Sequence, residues 1–219
     1  MSLSRRHLLI ASAVTAASPL LVHAQTAARA PQESKDYVRL KNPVAPESGA
    51  KVEVLEFFQY TCPHCYSYEP YLASWKKKLP ADVEYKRIPI AWDNSTMPHV
   101  RIYYTLDALG KVNDMHEKVF AAIQKNKQPL INPDQIADFM AANGIDRKQW
   151  IDTYNSFSVA ARANRAGQLW RAYQIDGTPA MGVDGKFKTA PSMVGSREGS
   201  LQVMDFLIQR ARAERGGKK

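Results

Sequence analysis

The order of the predicted elements indicates an α/β protein with some α+β character, in which a block of helices interrupts a mixed sheet. A strand, a helix and a second strand come early in the chain, and such a unit gives a parallel pair of strands. Several helices follow, and then a hairpin whose two arms must pair antiparallel. The helical block is therefore inserted between the second core strand and the C-terminal hairpin, and one more helix closes the chain.

Two apolar runs predict the core strands. Residues 51–59 are rich in Val, Leu and Phe, and residues 83–90 alternate into a second strand. Between them, residues 62–79 predict a helix. Pro70 lies inside that helix, where proline removes a backbone donor, so we expect a kink near Glu69.

The inserted block is predicted to contain five helices, and one of them has clear signals at both ends. Asn132 is a suitable N-cap, Pro133 suits the first helical position, and Gly144 suits the position just past the last turn. The other four helices are expected at residues 97–109, 113–125, 146–154 and 158–174.

Shorter elements complete the sheet. An Asp184-Gly185 turn is expected to join two strands into a hairpin. The remaining predicted elements are a short strand at residues 37–40, the hairpin arms at 177–183 and 186–189, and a final helix at 197–212.

The N-terminus predicts a bacterial signal peptide for export. Arg5 and Arg6 form a charged region, the stretch from Leu8 to Val22 is apolar, and a small-residue cleavage site ends at Ala24. The paired arginines also fit a twin-arginine signal, so the export route stays open between that and the general secretory route. Either route leads out of the cytoplasm, and we expect the mature chain to begin at Gln25.

These patterns predict a domain organisation in which one domain is interrupted by another. The segments are a cleaved signal peptide at 1–24, an N-terminal arm with a short strand at 25–49, a sheet domain formed by 50–92 and 175–219, and a helical domain at 93–174.

The net charge does not indicate a nucleic-acid-binding protein. The chain carries +9, and loss of the two arginines of the signal peptide takes this to +7. The basic residues are scattered rather than arranged as a stripe on a recognisable motif, so they predict a solvated surface and no nucleic-acid partner.

The Cys62-Pro63-His64-Cys65 segment is the strongest functional signal. These are the only two cysteines in 219 residues, and they directly follow the first core strand. A strand that delivers a Cys-x-x-Cys pair to the start of a helix is typical of a redox site. Cys62 is expected at the helix N-terminus, where free N–H groups favour a thiolate, and Cys65 one turn further in. His64 can add a donor or a positive charge, and Pro63 also suits the first turn of a helix.

Two other interpretations of the cysteine pair fit the sequence less well. A zinc site needs four ligands, but no second cysteine pair exists, and His64, His99 and His116 have no ligand-like spacing. A purely structural disulfide would close so short a loop that it would constrain little of the unfolded chain. The redox interpretation is therefore favoured, and no metal or other cofactor is expected beyond the Cys62–Cys65 disulfide.

The sequence around the cysteines closely resembles the DsbA family, the bacterial periplasmic thiol:disulfide oxidoreductases. The resemblance is carried by residues 54–58, by the Pro-His dipeptide between the cysteines, and by Thr178-Pro179, which matches the cis-proline loop of the thioredoxin superfamily. It implies a thioredoxin fold with an all-helical insertion. It also implies an enzyme that introduces disulfides into reduced exported proteins in the periplasm.

The resemblance assigns roles to individual residues and partners. It implies that Cys62 forms the mixed disulfide with substrate, that Cys65 resolves it, and that Glu56 is a partly buried acid that assists proton transfer. From the residues alone, Glu56 could equally face solvent on its strand. A DsbB-type membrane partner that passes electrons to quinone is implied as the reoxidant.

Alternatives and departures remain. An isomerase or reductase of the same fold usually dimerises through an added N-terminal domain, for which the arm is too short, so we expect a monomer. A peptide-binding chaperone with incidental cysteines, or a dedicated partner for one substrate, would be different functions.

The sequence departs from the family pattern at a few positions near the cysteines. The residues before Cys62, which are Gln59, Tyr60 and Thr61, replace a more apolar segment, and Thr178 replaces a valine often found before the proline.

Overall fold

A computed structural model describes residues 29–216, and the predicted signal peptide and its cleavage site lie outside these residues. The described chain contains one five-stranded mixed sheet with the order β1-β5-β4-β2-β3. Strands β2 and β3 pair in parallel, and the β2–β4, β4–β5 and β1–β5 pairs are antiparallel. The strands are β1 (Val38–Arg39), β2 (Val52–Phe58), β3 (Val83–Pro89), β4 (Ala180–Val183) and β5 (Phe187–Thr189).

The helices follow the predicted order, with five of them between β3 and β4. The predicted mixed sheet with a helical insertion is therefore confirmed. The helices are α1 (Pro63–Lys76), α2 (Met97–Ala108), α3 (Val112–Gln124), α4 (Pro133–Ala142), α5 (Arg147–Tyr154), α6 (Phe157–Ala172), α7 (Pro191–Val194) and α8 (Arg197–Gly216).

Strand β2 lies in the centre of the sheet and is buried along its whole length. Up to Phe57, its apolar side chains divide between two clusters by strand face, as the period-2 geometry of a strand requires. Val52 and Val54 pack in the cluster beneath α1 and α8, whereas Leu55 and Phe57 pack in the cluster shared with the helical insertion. Burial on both faces explains why this segment reads as a nearly continuous apolar run.

The capping residues set the ends of α4 as predicted. The Asn132 side chain accepts hydrogen bonds from the N–H groups of Asp134 and Gln135, and Pro133 is the first residue of the helix. Gly144 adopts a positive φ of 86° just after the last turn. A glycine reaches this left-handed conformation without the steric cost that a Cβ imposes.

The predicted Asp184-Gly185 turn is confirmed. Both residues have positive φ, at 55° and 65°, and the Lys186 N–H donates to the Val183 carbonyl. Two consecutive positive φ values match the twist of a tight two-residue hairpin. A Cβ at Gly185 would also lie 1.6 Å from the Val44 carbonyl oxygen, so the N-terminal arm packs directly on this turn.

Helices α1 and α7 differ from the sequence-based prediction. Helix α1 ends at Lys76 rather than at residue 79, because the chain turns with bonds from Lys78 and Leu79 back to Trp75 and Lys76. The four-residue helix α7 was not predicted, since it is too short for a helical period to show in the sequence. The kink near Glu69 stays a prediction.

From Pro31 onward the chain forms one compact unit. The helical insertion packs against the sheet through α2 and α6, which both contact β3. The predicted boundaries at residues 93 and 174 stay a prediction. None of the helices within residues 29–216 is long and apolar enough to cross a lipid bilayer.

Candidate redox site

The cysteine pair lies where the chain leaves β2 and begins α1. Cys62 is the N-cap of α1, with extended backbone angles, and its sulfur accepts a hydrogen bond from the Cys65 N–H at 3.3 Å. Pro63 is the first helical residue and so loses no intrahelical bond by lacking an N–H. Both cysteines are free thiols; Cys62 is partly exposed and Cys65 is fully buried.

The loop before β4 lies next to Cys62. Strand β4 pairs with β2 so that Ala180 lies opposite Phe57, which brings residues 178–179 alongside the segment that leads to the cysteines. The Cys62 thiol donates to the Thr178 carbonyl oxygen at 3.3 Å. The Thr178–Pro179 peptide bond is cis, as predicted.

The two cysteines have opposite acid–base properties. The pKa of Cys62 is lowered to about 5, first by the hydrogen bond from the Cys65 thiol and then by those from the Thr178 side chain and from the N–H groups of Cys65 and His64, with burial acting against them. Burial raises the pKa of Cys65 well above its ordinary value, and its bond to Cys62 adds to this. At neutral pH the pair therefore holds one accessible thiolate and one buried, protonated thiol.

The exposed side of the site carries His64 and a groove. His64 is exposed in the first turn of α1, and its backbone N–H helps to lower the pKa of Cys62. The groove has a volume of about 770 Å³. Its lining includes His64, Thr178, Pro179 and residues of α7, so the unpredicted helix forms one of its walls.

Glu56 is fully buried beneath α1, which rules out the solvent-facing alternative and corrects the expectation of partial burial. Arg87 on the neighbouring strand donates to Glu56 Oε2 at 3.0 Å, and the Tyr85 hydroxyl donates to the same oxygen. Burial is the main cause that raises the pKa of Glu56, and the charge of Glu69 adds to it, while Arg87 lowers it. The Oε1 atom of Glu56 has no hydrogen-bond partner.

The charge network continues toward the cysteines. Arg87 also donates to Glu69 Oε2 at 2.8 Å. Glu69 is four residues after Cys65, so the two side chains share one face of α1. The network beginning at Glu56 therefore ends one helical turn from the buried cysteine.

A buried histidine extends this network on its other side. His116 Nε2 lies 3.1 Å from Glu69 Oε1, and its Nδ1 lies 2.9 Å from the Tyr60 hydroxyl. Burial lowers the pKa of His116 well below its ordinary value and raises that of Tyr60 well above its own. The neutral imidazole therefore donates from Nε2 to Glu69 and accepts at Nδ1 from Tyr60.

The sequence analysis did not identify Glu69, Arg87, His116 or Tyr60 as parts of the site. The sequence pattern does offer one indication for Arg87 and one for Glu69. Arg87 is opposite Glu56 in the parallel register of β2 and β3, and Glu69 has helical spacing from Cys65. No local pattern in the sequence indicates that His116 belongs to the site, because it is 47 residues from Glu69.

The histidines that were considered as zinc ligands do not lie together, and two of them have other partners. His116 binds Glu69, and His99 Nε2 lies 2.7 Å from the Pro129 carbonyl oxygen. Within residues 29–216, no three His, Cys, Asp or Glu side chains are grouped so that they could hold a metal ion.

Comparison with known proteins agrees with this geometry. A DSBA-like thioredoxin domain matches residues 53–198, which include both cysteines and the loop at Thr178. The chain belongs to the DsbA family. It is 42% identical to the thiol:disulfide interchange protein DsbA of Burkholderia cepacia over 187 residues, 85% of this chain and 88% of that protein. It is also 40% identical to DsbA of Bordetella parapertussis over 205 residues, 93% and 96% of the two chains.

Solved structures of DsbA proteins have the same fold. The crystal structure of Pseudomonas aeruginosa DsbA superposes with a TM-score of 0.82 at 38% identity, covering 85% of this chain and 97% of that one. DsbA from Xylella fastidiosa superposes with a TM-score of 0.78 at 29% identity, covering 84% and 98%. The protein is thus a thiol:disulfide oxidoreductase with a thioredoxin-like sheet and a helical insertion.

The buried network predicts a large loss of stability when Arg87 is removed. Arg87→Met would leave the carboxylates of Glu56 and Glu69 buried without their shared cation, which costs about 3–5 kcal/mol in the free energy of unfolding. Arg147 is a matched control, because it also joins two carboxylates, Asp134 and Asp138, but is exposed. Arg147→Met should change the free energy of unfolding far less, because water and salt screen an exposed ion pair. Urea unfolding measures both, and equal costs would contradict the assignment.

Proposed function

We propose that this oxidoreductase works as a disulfide donor, which transfers its Cys62–Cys65 disulfide to reduced exported proteins. The observation that carries the proposal is the asymmetry of the pair. Cys62 is accessible and has a pKa of about 5, whereas Cys65 is buried and the pKa of its thiol is raised. A stabilised Cys62 thiolate stabilises the reduced form, and this makes the disulfide a strong oxidant.

The reaction has two exchange steps. A substrate thiolate attacks the Cys62 sulfur; the bond between the two cysteines breaks, and Cys65 leaves with the electron pair and takes up a proton. A second substrate thiolate then attacks the substrate sulfur of the mixed disulfide and expels Cys62 as a thiolate. The substrate loses two electrons and gains a disulfide, and the protein gains the same two electrons as a dithiol.

Glu56 is proposed to supply the proton that Cys65 takes up. Its raised pKa brings the carboxyl closer to neutral pH, where a group can both hold and release a proton. Its unpartnered Oε1 leaves one oxygen available for this. Glu69 and Arg87 connect Glu56 to the face of α1 that carries Cys65, which supports a route through the network.

The groove beside Cys62 is proposed to hold the substrate backbone and apolar side chains. Thr178 lies at its edge, next to the reacting sulfur, and an extended polypeptide can pair with the backbone of such a loop. Backbone contacts carry little sequence information, which suits an enzyme with many substrates. Pro179 and the residues of α7 offer apolar contacts along the same groove.

The proposal includes a location and a reoxidising partner. The predicted signal peptide and the DsbA family support a periplasmic protein that reaches its substrates after export. A DsbB-type membrane protein is the proposed reoxidant, which returns the dithiol to a disulfide and passes the electrons to quinone. The protein is proposed to act as a monomer.

Single-cysteine variants test the roles of the two thiols. Cys65→Ser should form a mixed disulfide with oxidised glutathione about a hundredfold faster at neutral pH than Cys62→Ser, because only Cys62 is both accessible and ionised. Mass spectrometry of quenched samples gives both rates. Equal rates, or faster reaction of the Cys62→Ser protein, would overturn the assignment of Cys62 as the attacked cysteine.

A Glu56→Gln variant tests the proton step. Its oxidation of a reduced two-cysteine peptide should be about tenfold slower, with a flatter pH profile above the ordinary pKa of a carboxyl group, because the amide cannot exchange a proton. Glu84→Gln on the neighbouring strand removes a partly exposed carboxylate and should keep the wild-type profile. If Glu56→Gln changes only stability and leaves the pH profile as in the wild type, Glu56 is not the proton donor.

A further inference from the structure

The two buried carboxyl groups beneath α1 share one cation, but they differ in how many of their oxygens accept hydrogen bonds. Glu69 uses both oxygens, because Oε2 accepts from Arg87 at 2.8 Å and Oε1 lies 3.1 Å from His116 Nε2. Glu56 uses only Oε2, which accepts from Arg87 and from the Tyr85 hydroxyl. The other oxygen of Glu56, Oε1, has no partner.

This difference indicates where the pair holds a proton. A carboxyl oxygen that carries a proton is itself a donor, so it should not face the hydrogen of another donor. Glu56 Oε1 meets this condition, whereas both oxygens of Glu69 already face donors. Two carboxylates in one buried site also repel each other, so one of them tends to take up a proton. In agreement, burial and then the charge of Glu69 raise the pKa of Glu56.

His116 is the residue that makes the two carboxyl groups different. Without its N–H, Glu69 and Glu56 would each have one oxygen bound by Arg87 and one oxygen without a donor. The imidazole reaches Glu69 from α3, so a residue of the helical insertion acts on the acid groups beneath the active-site helix.

Tyr60 determines which nitrogen of His116 carries the hydrogen. The Tyr60 hydroxyl lies 2.9 Å from Nδ1, and both side chains are buried. If Nδ1 carried the hydrogen, the Tyr60 O–H would have no acceptor among residues 29–216, and Nε2 would face Glu69 without a hydrogen. Both contacts are satisfied when Tyr60 donates to Nδ1 and the Nε2 N–H donates to Glu69.

The other groups around the imidazole keep it neutral. Burial lowers the pKa of His116, the charge of Arg87 adds to this, Glu56 opposes it, and Lys76 adds to it further. The Tyr103 ring packs edge-on against the imidazole, with the ring centres 6.1 Å apart. His116 is therefore a fixed donor to Glu69 and does not itself carry the exchanged proton.

We propose that His116, oriented by Tyr60, is a positioning residue that keeps Glu69 ionised and so places the proton of the carboxyl pair on Glu56. The inference rests on the proposed function, in which Glu56 supplies a proton to Cys65. In that step Glu56 loses the proton and becomes a carboxylate, and the Cys65 thiolate gains it and becomes a thiol. The placement of the proton can be measured without the reaction.

The first test follows each carboxyl group by carbon NMR of the reduced protein, labelled at the side-chain carboxyl carbons of glutamate. Glu56→Gln and Glu69→Gln variants assign the two signals. As the pH is lowered, Glu56 should take up a proton about one pH unit or more before Glu69, because a hydrogen bond to a charged group is worth about a tenfold preference. A wild type in which Glu69 takes up its proton first would overturn the proposal.

Variants of the histidine test its part in this order. His116→Phe should abolish the difference between the two carboxyl groups, and His116→Gln should retain it, because the amide N–H can replace the Nε2 donor. Tyr60→Phe should narrow the difference, since either nitrogen of the imidazole can then carry the hydrogen. His99→Phe is the matched control, because His99 is also 3% exposed but binds a backbone carbonyl, and it should keep the wild-type order. A His116→Phe protein with the full difference would contradict the proposal.

Peptide oxidation separates this inference from the proposed function. His116→Phe should flatten the pH profile of the rate as Glu56→Gln does, and the double variant should be no slower than Glu56→Gln alone. A double variant slowed by the product of the two single effects would show that His116 acts independently of Glu56 and would overturn the proposal. If the carboxyl titrations are as expected but Glu56→Gln keeps the wild-type profile, the proton placement holds and the proposed role of Glu56 fails.

Discussion

The hydrogen bonds to the Cys62 sulfur depend on several parts of the fold at once. The Cys65 N–H can reach the sulfur only because Cys62 is the N-cap of α1, and α1 begins there because β2 ends four residues earlier. The Thr178 side chain, whose hydrogen bond lowers the pKa of Cys62, lies beside the same sulfur because β4 pairs with β2 and brings its preceding loop alongside. The sheet register and the start of one helix thus determine which cysteine ionises.

The same helix contacts a buried group of charges on its inner face. Two carboxylates, Glu56 and Glu69, are buried with one guanidinium, and the neutral His116 completes the hydrogen bonding of Glu69. Burial of ions is costly even where their partners are well placed, so a buried network of this kind is weak evidence of a gain in stability. It holds ionisable groups one turn from a thiol that must gain and lose a proton, which gives the network a chemical reason to be buried.

The sequence was sufficient for the redox motif, the helix that follows it and the arrangement of the sheet. Those features depend on local signals, such as the apolar run of β2, the proline at the start of α1 and the Asp184-Gly185 turn. The burial of Glu56 could not be predicted from the sequence. A central strand is apolar on both faces, and a single acidic residue in it does not show whether its own face is buried or exposed to solvent. The contacts of His116 with Glu69, 47 residues apart, and with Tyr60 depend on tertiary packing, and no spacing in the chain indicates them.

The central claim is that Cys62 is a thiolate at neutral pH because the Cys65 thiol, the Thr178 side chain and the first N–H groups of α1 stabilise it. A pH titration of the ultraviolet absorbance of the thiolate in the reduced protein tests this most directly. The structure predicts one transition with a midpoint at about 5. The transition should be absent from the Cys62→Ser protein, because burial keeps Cys65 protonated. A midpoint near 9, the ordinary value for cysteine, would contradict the account.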